Sequence, residues 1–167
     1  MRGGGFEFEE FVAASGPRLL RMAWLLTGDA HLAEDLLQTA LAKVWPKWRR
    51  IGQEHPEAYV RKVLVNTHTS WWRRHWRAEV PHGELPERAG EVDVYEGVDL
   101  EQSLAAAVRR LPPRQRAVVV LRYFEDLGVD ETAGILGCTP GTVKSQSAKA
   151  LRTLRAALPA READRCE

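Results

Sequence analysis

The stretch GCTPGTVKSQSAKALRTLR, residues 137–155, contains a predicted tight turn followed by a predicted basic helix. Gly137 suits the turn, Thr139 has the side chain of an N-cap, and Pro140 suits the first helical position. Apolar residues then recur three and four positions apart, at Val143, Ala150, Leu151 and Leu154. This spacing predicts an amphipathic helix with one buried stripe and one polar face.

The polar face of this helix contains no acidic residue, and five of its side chains are predicted to point outward: Lys144, Ser145, Gln146, Ser147 and Lys149. Lysine can donate to guanine in the major groove, glutamine can pair with adenine, and the free amides at a helix start bind phosphate. A solvated basic face is the plainer interpretation of such a run of charges. The turn and the helix predicted before it favour DNA contact.

A short helix is predicted directly before the turn, from Val129 to Leu136. Two short helices joined by a turn of three or four residues that contains glycine form a helix-turn-helix. Two more helices are predicted upstream, over residues 99–111 and from Arg114 to about Asp126, with Pro112-Pro113 breaking the chain between them. The second half of the sequence is therefore predicted to be a small helical domain.

The first half shows the same helical spacing, and no window alternates in the way a strand does. A first helical region is predicted from about Phe8 to Thr27-Gly28, with an interruption near Gly16-Pro17. Asp29 is a predicted N-cap for the second helix, which Pro46 is expected to end or kink.

The third helix is predicted to begin at Pro56 and to run to about Arg77, after a loop from Arg50 to His55. Its basic residues are Arg61, Lys62, Arg73, Arg74 and Arg77, and its interleaved tryptophans are Trp71, Trp72 and Trp76. Basic and aromatic side chains together are typical of surfaces that grip single-stranded nucleic acid. Tryptophans at helical spacing also pack in cores. Trp71 is predicted to do so, and both interpretations stay open for Trp72 and Trp76.

The polar face of the second helix carries Glu34, Asp35, Gln38 and Thr39. An acidic face does not suit DNA contact, because like charges repel. It is either ordinary solvated surface or a docking site for a basic protein partner.

The formal net charge of the 167-residue chain is only +1, but its charges are segregated. Residues 43–77 contain nine basic and two acidic side chains, whereas residues 79–101 contain eight acidic side chains and one basic. Proline, glycine and acidic residues give the stretch after residue 78 the composition of a linker. The sequence therefore predicts an all-α protein with two small helical domains (residues 1–78 and 99–158), a flexible acidic linker (residues 79–98) and a tail (residues 159–167).

Neither catalysis nor a cofactor is predicted. The five histidines are dispersed, and the two cysteines, Cys138 and Cys166, have neither CxxC spacing nor a nearby histidine pair for a metal. No segment is apolar enough over a sufficient length to span a bilayer, and the N-terminal residues lack the pattern of a signal peptide. We therefore expect a non-enzymatic protein of the cytoplasm, without a membrane partner.

Three stretches together resemble the extracytoplasmic-function (ECF) sigma factors of bacterial RNA polymerase. They are AEDLLQTALAKVW, PEAYVRKVLVNTHTSWWRR and LPPRQRAVVVLRYFEDLGVDETAGILGCTPGTVKSQSAKALRTLR, in the order in which the family has them. The resemblance extends over about residues 6–158. It implies a helix-turn-helix region 4 domain, a region 2 domain before it, and a promoter-specificity subunit as the function.

The resemblance also assigns a role to each polar surface. Core polymerase, through its β′ coiled coil, would bind Glu34, Asp35, Gln38 and Thr39. The −10 element, melted to a single strand, would contact Arg50, His55, Arg61, Lys62, Asn66, Ser70, Arg73, Arg74 and Arg77. Asn66 would line a pocket for a flipped-out base, and the loop from Arg50 to His55 would close that pocket. The duplex −35 element would contact Thr142, Lys144, Ser145, Gln146, Lys149 and Arg152.

The resemblance further implies a monomer when free, contact with the polymerase β flap, and an anti-sigma factor as a candidate partner. Some residues depart from the family pattern: Ser70 stands where aspartate is common, and Gln146, Ala148 and Lys149 stand where arginine or bulkier residues are frequent. The alternative function is a stand-alone helix-turn-helix regulator with an N-terminal helical sensor or dimerisation domain. A helical adaptor that binds only proteins explains the two basic segments less well.

Overall fold

A computed structural model describes residues 3–52, 54–78 and 100–158 of the chain. The predicted acidic linker, Asp99 and the predicted tail lie outside these residues. Every element of regular structure in the described ranges is helical, which confirms the all-α prediction. The chain divides into two compact units, the first formed by the helices up to Ala78 and the second mainly by the helices after it.

The first unit contains four α-helices: α1 (Gly3–Thr27), α2 (Ala30–Val44), α3 (Trp48–Ile51) and α4 (Pro56–Ala78). A single 3₁₀ turn, Trp45–Lys47, connects α2 to α3. Helix α2 packs against both α1 and α4. The centre of the unit is formed by fully buried side chains from these three helices, among them Leu26, Leu36, Ala40, Val44, Val60 and Leu64.

Helix α2 begins as the sequence predicts. The Asp29 carboxylate accepts hydrogen bonds from the backbone amides of His31 (2.8 Å) and Leu32 (3.0 Å), so Asp29 is confirmed as the N-cap. Gly28 closes the preceding helix with a φ of 72°, a left-handed conformation that glycine adopts without steric cost.

Helix α1 is continuous, so the predicted interruption near Gly16-Pro17 is wrong. A proline inside a helix removes one backbone donor and costs roughly 3 kcal/mol. Here both halves of the helix are held by tertiary packing. Phe8 and Phe11 lie against Trp48 upstream of the proline, with ring centroids 5.1 and 5.0 Å away, and a buried apolar stripe follows downstream of it. Because that packing acts on both sides, it outweighs the local preference to break.

The segment around Pro46 differs in part from the prediction. Helix α2 ends at Val44, as Pro46 predicts, but helix α3 then begins at Trp48 and includes Arg50. The connection before α4 is therefore shorter than the predicted loop and leaves His55 in it. Helix α4 begins at Pro56, as predicted.

The described helices after Ala78 are α5 (Leu100–Arg109), α6 (Pro113–Val119), α7 (Val129–Leu136) and α8 (Pro140–Ala157). The bounds of α7 confirm the prediction for that helix. Helix α6 packs against α8, and α5 contacts both of them. Arg116 connects α5 to α6, because its Nη2 donates to the carbonyls of Arg109 (2.6 Å) and Leu111 (3.1 Å). Burial, together with the like charge of Arg109, lowers the pKa of Arg116.

The helix predicted from Arg114 to Asp126 ends differently from expectation. After Val119 the chain forms a π-helical turn, Val120–Phe124, in which the Glu125 amide donates to the Val120 carbonyl at 3.0 Å. Asp126 follows with a φ of 56°, in the left-handed region that aspartate tolerates better than most residues. This irregular turn leads directly into the helix-turn-helix.

Gly52 provides a stability test of the first unit. A Cβ atom at this position would lie 3.0 Å from Cε2 of Trp48 and 3.1 Å from its backbone oxygen, so the indole would have to move. We expect Gly52→Ala to destabilise the unit by about 1–3 kcal/mol, the usual cost of overpacking. Tryptophan fluorescence during chemical denaturation measures this unit alone, because all six tryptophans lie at positions 24–76.

Gly5→Ala is the matched control, because its Cβ would lie 3.8 Å from Trp45 Cη2, an ordinary contact. Within α1, replacing this glycine by alanine should stabilise by up to roughly 1 kcal/mol. Equal denaturation midpoints for the two variants would contradict the role assigned to the Trp48 contact.

Candidate functional site

The start of helix α8 is capped by a side chain. The Thr139 hydroxyl accepts a hydrogen bond from the Thr142 amide at 3.2 Å and shares another with the Thr142 hydroxyl at 2.9 Å. Pro140 occupies the first helical turn, which contains no acidic residue. The start of α8 therefore keeps the partial positive charge of its free amides, which favours an anion such as a DNA phosphate.

The two faces of α8 are sharply different. Val143, Ala150 and Leu154 are buried. At 100° per residue, Ser145, Lys149 and Arg152 point to the opposite side, where they are exposed. Lys144 is exposed on one flank of this face, and the half-buried Gln146 and Thr142 lie towards the other. Five of the six predicted −35 residues thus lie around the outward side of a single helix, and the half-buried Gln146 lies at the edge of the buried stripe.

Ser147 is not part of this face, so its predicted outward position is wrong. The residue is 8% exposed, and its hydroxyl shares a hydrogen bond with the Tyr123 hydroxyl at 3.1 Å. Position 147 comes four residues after Val143 and three before Ala150, which places it within the buried stripe. The spacing of the apolar stripe therefore indicated a buried position for Ser147, whereas the polar side chain of serine suggested an exposed one.

Helix α4 presents a polar row at every third or fourth residue. Lys62, Asn66 and Arg73 are exposed along it, and Ser70 is half-buried between them. Arg74 is also exposed, on the flank of the row. The side chain of Arg77 lies outside the described set. Four of the predicted −10 residues therefore share one face.

Arg61 lies on another side of α4, turned towards α1, and its side chain is only 13% exposed. Its Nη2 is 4.0 Å from Glu57 Oε1, and the same carboxylate oxygen is 3.1 Å from Nη1 of Arg18 on α1. This acid between two guanidinium groups links the two helices. Arg61 is therefore separated from the row that contains Asn66.

A cleft of about 430 Å³ opens between α1 and the start of α4. It is lined by Phe11, Ser15, Arg18, Glu54, His55, Pro56, Glu57, Ala58 and Arg61. Two predicted −10 residues, His55 and Arg61, thus line a cleft that does not include Asn66. Asn66 is ten residues beyond Pro56, or about 15 Å along the helix axis. Arg50 is exposed on α3, before this connection.

Trp71 and Trp72 of α4 are neither fully buried in the core nor fully exposed for stacking. Trp71, predicted to be core, is only half-buried, and so is Trp72. Each therefore offers part of its ring to solvent. The side chain of Trp76 lies outside the described set.

The polar face of α2 is positioned as the sequence predicts. Glu34, Asp35 and Gln38 are exposed, on the side opposite the buried stripe. Thr39 is half-buried and donates to the Asp35 carbonyl at 2.7 Å. At the end of the helix, Lys43 donates to the Thr67 hydroxyl at 3.1 Å, next to Asn66 on α4. The acidic face and the polar row of α4 thus belong to two helices that pack together.

Residues 3–52, 54–78 and 100–158 contain no group of three or more histidine, cysteine, aspartate or glutamate side chains arranged to hold a metal ion. In the same ranges no helix combines the length and the apolar character that crossing a bilayer requires.

Known proteins match this chain over most of its length. The family model described as sigma-70 region 2 matches residues 11–78, and the model described as sigma-70 region 4 matches residues 101–154. The chain is 43% identical over 159 residues to the RNA polymerase sigma-E factor of Streptomyces coelicolor, covering 95% of this chain and 89% of the relative. It is 42% identical over 164 residues to the sigma-E factor of Streptomyces antibioticus, covering 98% and 91%.

A solved structure shares the fold over almost the whole chain. The sigma factor RpoE of Bartonella quintana, crystallised with the anti-sigma factor NepR, is 26% identical and superposes with a TM-score of 0.67. The match covers 95% of this chain and 98% of that one. With both sigma regions present and this degree of identity, the chain belongs to the ECF sigma factors. It is a promoter-specificity subunit of bacterial RNA polymerase.

The cap of α8 gives a local test of this site. We expect Thr139→Ala to speed hydrogen exchange of the Thr142 and Val143 amides about fivefold, because losing an N-cap costs about 1 kcal/mol. The measurement is amide exchange followed by NMR on the full chain. Thr153→Ala is the control, because the Thr153 hydroxyl is exposed and donates only to Lys149 O within its own helix, at 3.1 Å. Equal exchange rates in the two variants would show that Thr139 does not cap the helix.

Proposed function

We propose that this sigma factor holds a promoter at two points while it is docked on core polymerase. In this proposal α8 reads the duplex −35 element, α4 captures the melted −10 strand, and α2 binds the β′ coiled coil. The proposed domains are residues 1–78 for core docking and −10 recognition, and residues 99–158 for −35 recognition. The observation that carries the proposal is the capped helix α8, whose outward side presents five of the six predicted −35 residues.

The chemistry of α8 supports contact with duplex DNA. An α-helix fits the major groove, where lysine, glutamine and serine can all donate to base edges. Lys144 is exposed in the second turn of α8, close to the free amides, and Lys149 is exposed near the middle of the helix, so positive charge extends along its outward side. Phosphate contacts of this kind make affinity depend strongly on salt concentration.

The row on α4 supports contact with an opened strand. Flipping a base out of the stack costs a few kcal/mol, which binding contacts must offset. Lys62 and Arg73 supply charge on both sides of Asn66, and the Asn66 amide can both donate to and accept from a base edge. The half-buried Trp72 leaves part of a ring for stacking. Arg61 is proposed to hold α4 against α1 rather than to contact DNA, because it faces Glu57.

The exposed acids of α2 support docking on a basic helical partner. Glu34 and Asp35 are presented on a helix whose opposite side is fixed by burial, so the face is rigid. Complementary charge of this kind steers encounter and suppresses wrong partners. Contact of the second unit with the β flap is proposed by family resemblance. An anti-sigma factor is also proposed as a partner, because the similar RpoE was crystallised with one.

The alternative, a stand-alone helix-turn-helix regulator, is not favoured. Its N-terminal domain would need neither the acidic face of α2 nor the polar row of α4. Both sigma regions match within one chain, and curated sigma factors align over nearly its whole length. Because promoter opening takes place on the chromosome, we propose the bacterial cytoplasm as the place of action.

Asp35→Arg tests the docking face. The change places a positive charge in a face that is proposed to meet a basic partner, so affinity for purified core polymerase should fall at least tenfold. Fluorescence anisotropy of the labelled chain, titrated with core, measures this. Glu10→Arg makes the same charge change at an exposed position of α1 and should leave the affinity within about twofold. Equal losses in both variants would point to a general effect of net charge and against a docking face.

Lys144→Ala and Arg73→Ala test the two DNA contacts together. With holoenzyme and a duplex pool randomised at the −35 position, the lysine variant should lose preference at one base pair, since a base contact contributes about 1–3 kcal/mol of discrimination. The Arg73 variant should weaken open-complex formation on every −35 sequence alike, because a phosphate contact carries no sequence information. If Lys144→Ala lowers affinity equally for all sequences, Lys144 is a phosphate contact and not a reader.

A further inference from the structure

Tyr123 is a residue that neither the sequence analysis nor the proposed function assigns. It lies in the π-helical turn at the end of α6 and is 49% exposed, although it is one of the larger aromatic side chains. Its hydroxyl shares a hydrogen bond with the Ser147 hydroxyl at 3.1 Å. Ser147 lies on the buried side of α8, midway along the segment that carries the proposed −35 contacts.

The π turn directs Tyr123 towards α8. A π turn contains about one residue more than an α turn, so each residue after it is rotated around the axis relative to a regular helix. Arg122 then secures the turn, because its Nη1 donates to the Leu127 carbonyl at 2.7 Å. The Arg122 guanidinium also lies 5.7 Å from the centroid of the Tyr123 ring, within the range of a cation–π contact. The ring is thus held by its own turn on one side and by Ser147 at its tip.

The other contacts of α8 with its unit do not fix its rotation in the same way. Val143, Ala150 and Leu154 pack through apolar surface, which is not directional. A hydrogen bond has a preferred distance and angle, so it resists rotation of α8 about its own axis. With a helix radius of about 6 Å including side chains, a 10° rotation moves an outward group by ~1 Å. That displacement is larger than the range over which a hydrogen bond to a base edge stays strong.

We propose that Tyr123 is a positioning residue for the recognition helix: through Ser147 it sets the rotation of α8 that aligns Lys144, Ser145 and Lys149 with base edges. This inference rests on the proposed role of α8 as the −35 reader. It predicts that losing the shared hydrogen bond reduces discrimination between DNA sequences. Electrostatic attraction to the DNA backbone should persist, because it tolerates a small rotation.

The test uses the full chain assembled with core polymerase. The wild-type holoenzyme first selects its preferred −35 duplex from a pool randomised at that element. The affinity for the selected duplex is then divided by the affinity for a scrambled duplex, for the wild type, Tyr123→Phe, Ser147→Ala and the double variant. Thr153→Val is the control, because it removes an exposed hydroxyl from α8 that has no contact with Tyr123. Chemical denaturation confirms that each variant is folded.

We expect each single variant to lower the ratio about fivefold, the effect of one net hydrogen bond. The double variant should lose no more than either single variant, because both remove the same interaction. The scrambled-duplex affinity and the control should stay within about twofold of the wild type.

Three results would overturn the inference. An unchanged ratio would mean that the hydrogen bond does not position α8. An equal loss of affinity for both duplexes would make Tyr123 a phosphate contact or a purely structural residue. Losses that multiply in the double variant would mean that the two hydroxyls act separately. If the wild-type holoenzyme selects no −35 sequence at all, the proposed role of α8 fails first, and the inference fails with it.

Discussion

The burial of the α2 stripe between α1 and α4 is the constraint on which the first unit depends. Leu36, Ala40 and Val44 are fully buried there, and each fully buried aliphatic side chain larger than alanine contributes about 1.5–3 kcal/mol. Because that stripe faces inward, the acids of α2 face solvent. The same packing orients α4 so that Asn66 points outward. Two surfaces with proposed functions therefore follow from the same packing of α2 against α1 and α4.

In the second unit, the burial of an apolar stripe likewise determines which face of a helix is exposed, here the face of α8. The stripe of α8 contacts α6 and leaves the basic face outward, while the cap at Thr139 and the shared hydroxyl bond at Ser147 add direction to that packing. The face carries lysine, which is a compact point charge without the rigid bidentate fork of arginine. In the proposed −35 contact, the preferred sequence depends on how firmly α8 is held, as well as on which residues it presents.

Much of this could be predicted from the sequence where local chemistry decides the outcome. Asp29 and Thr139 are caps, Pro56 begins a helix, and α7 has its predicted bounds, because capping and the fixed proline φ act over a few residues. Five of the six residues proposed for −35 contact lie around one side because the apolar spacing of α8 is regular.

The rest depends on tertiary contacts that no local pattern encodes. Pro17 stays inside a helix because aromatic packing holds the upstream half of α1. Arg61 faces α1 because Glu57 and Arg18 form a charged link that only the fold assembles. Ser147 is buried because Tyr123, brought round by a π turn, satisfies its hydroxyl. Each of these placements depends on a partner that the residue type alone does not indicate.

The most direct test of the central claim is run-off transcription with purified core polymerase, with and without this chain, on a linear fragment carrying the selected −35 and −10 sequences. The account predicts a single transcript that starts at a fixed distance downstream of the −10 element, that appears only when the chain is present, and that disappears when either element is scrambled. Tight binding of the chain to the same fragment without core, combined with no chain-dependent transcript when core is added, would contradict the account and identify a stand-alone regulator.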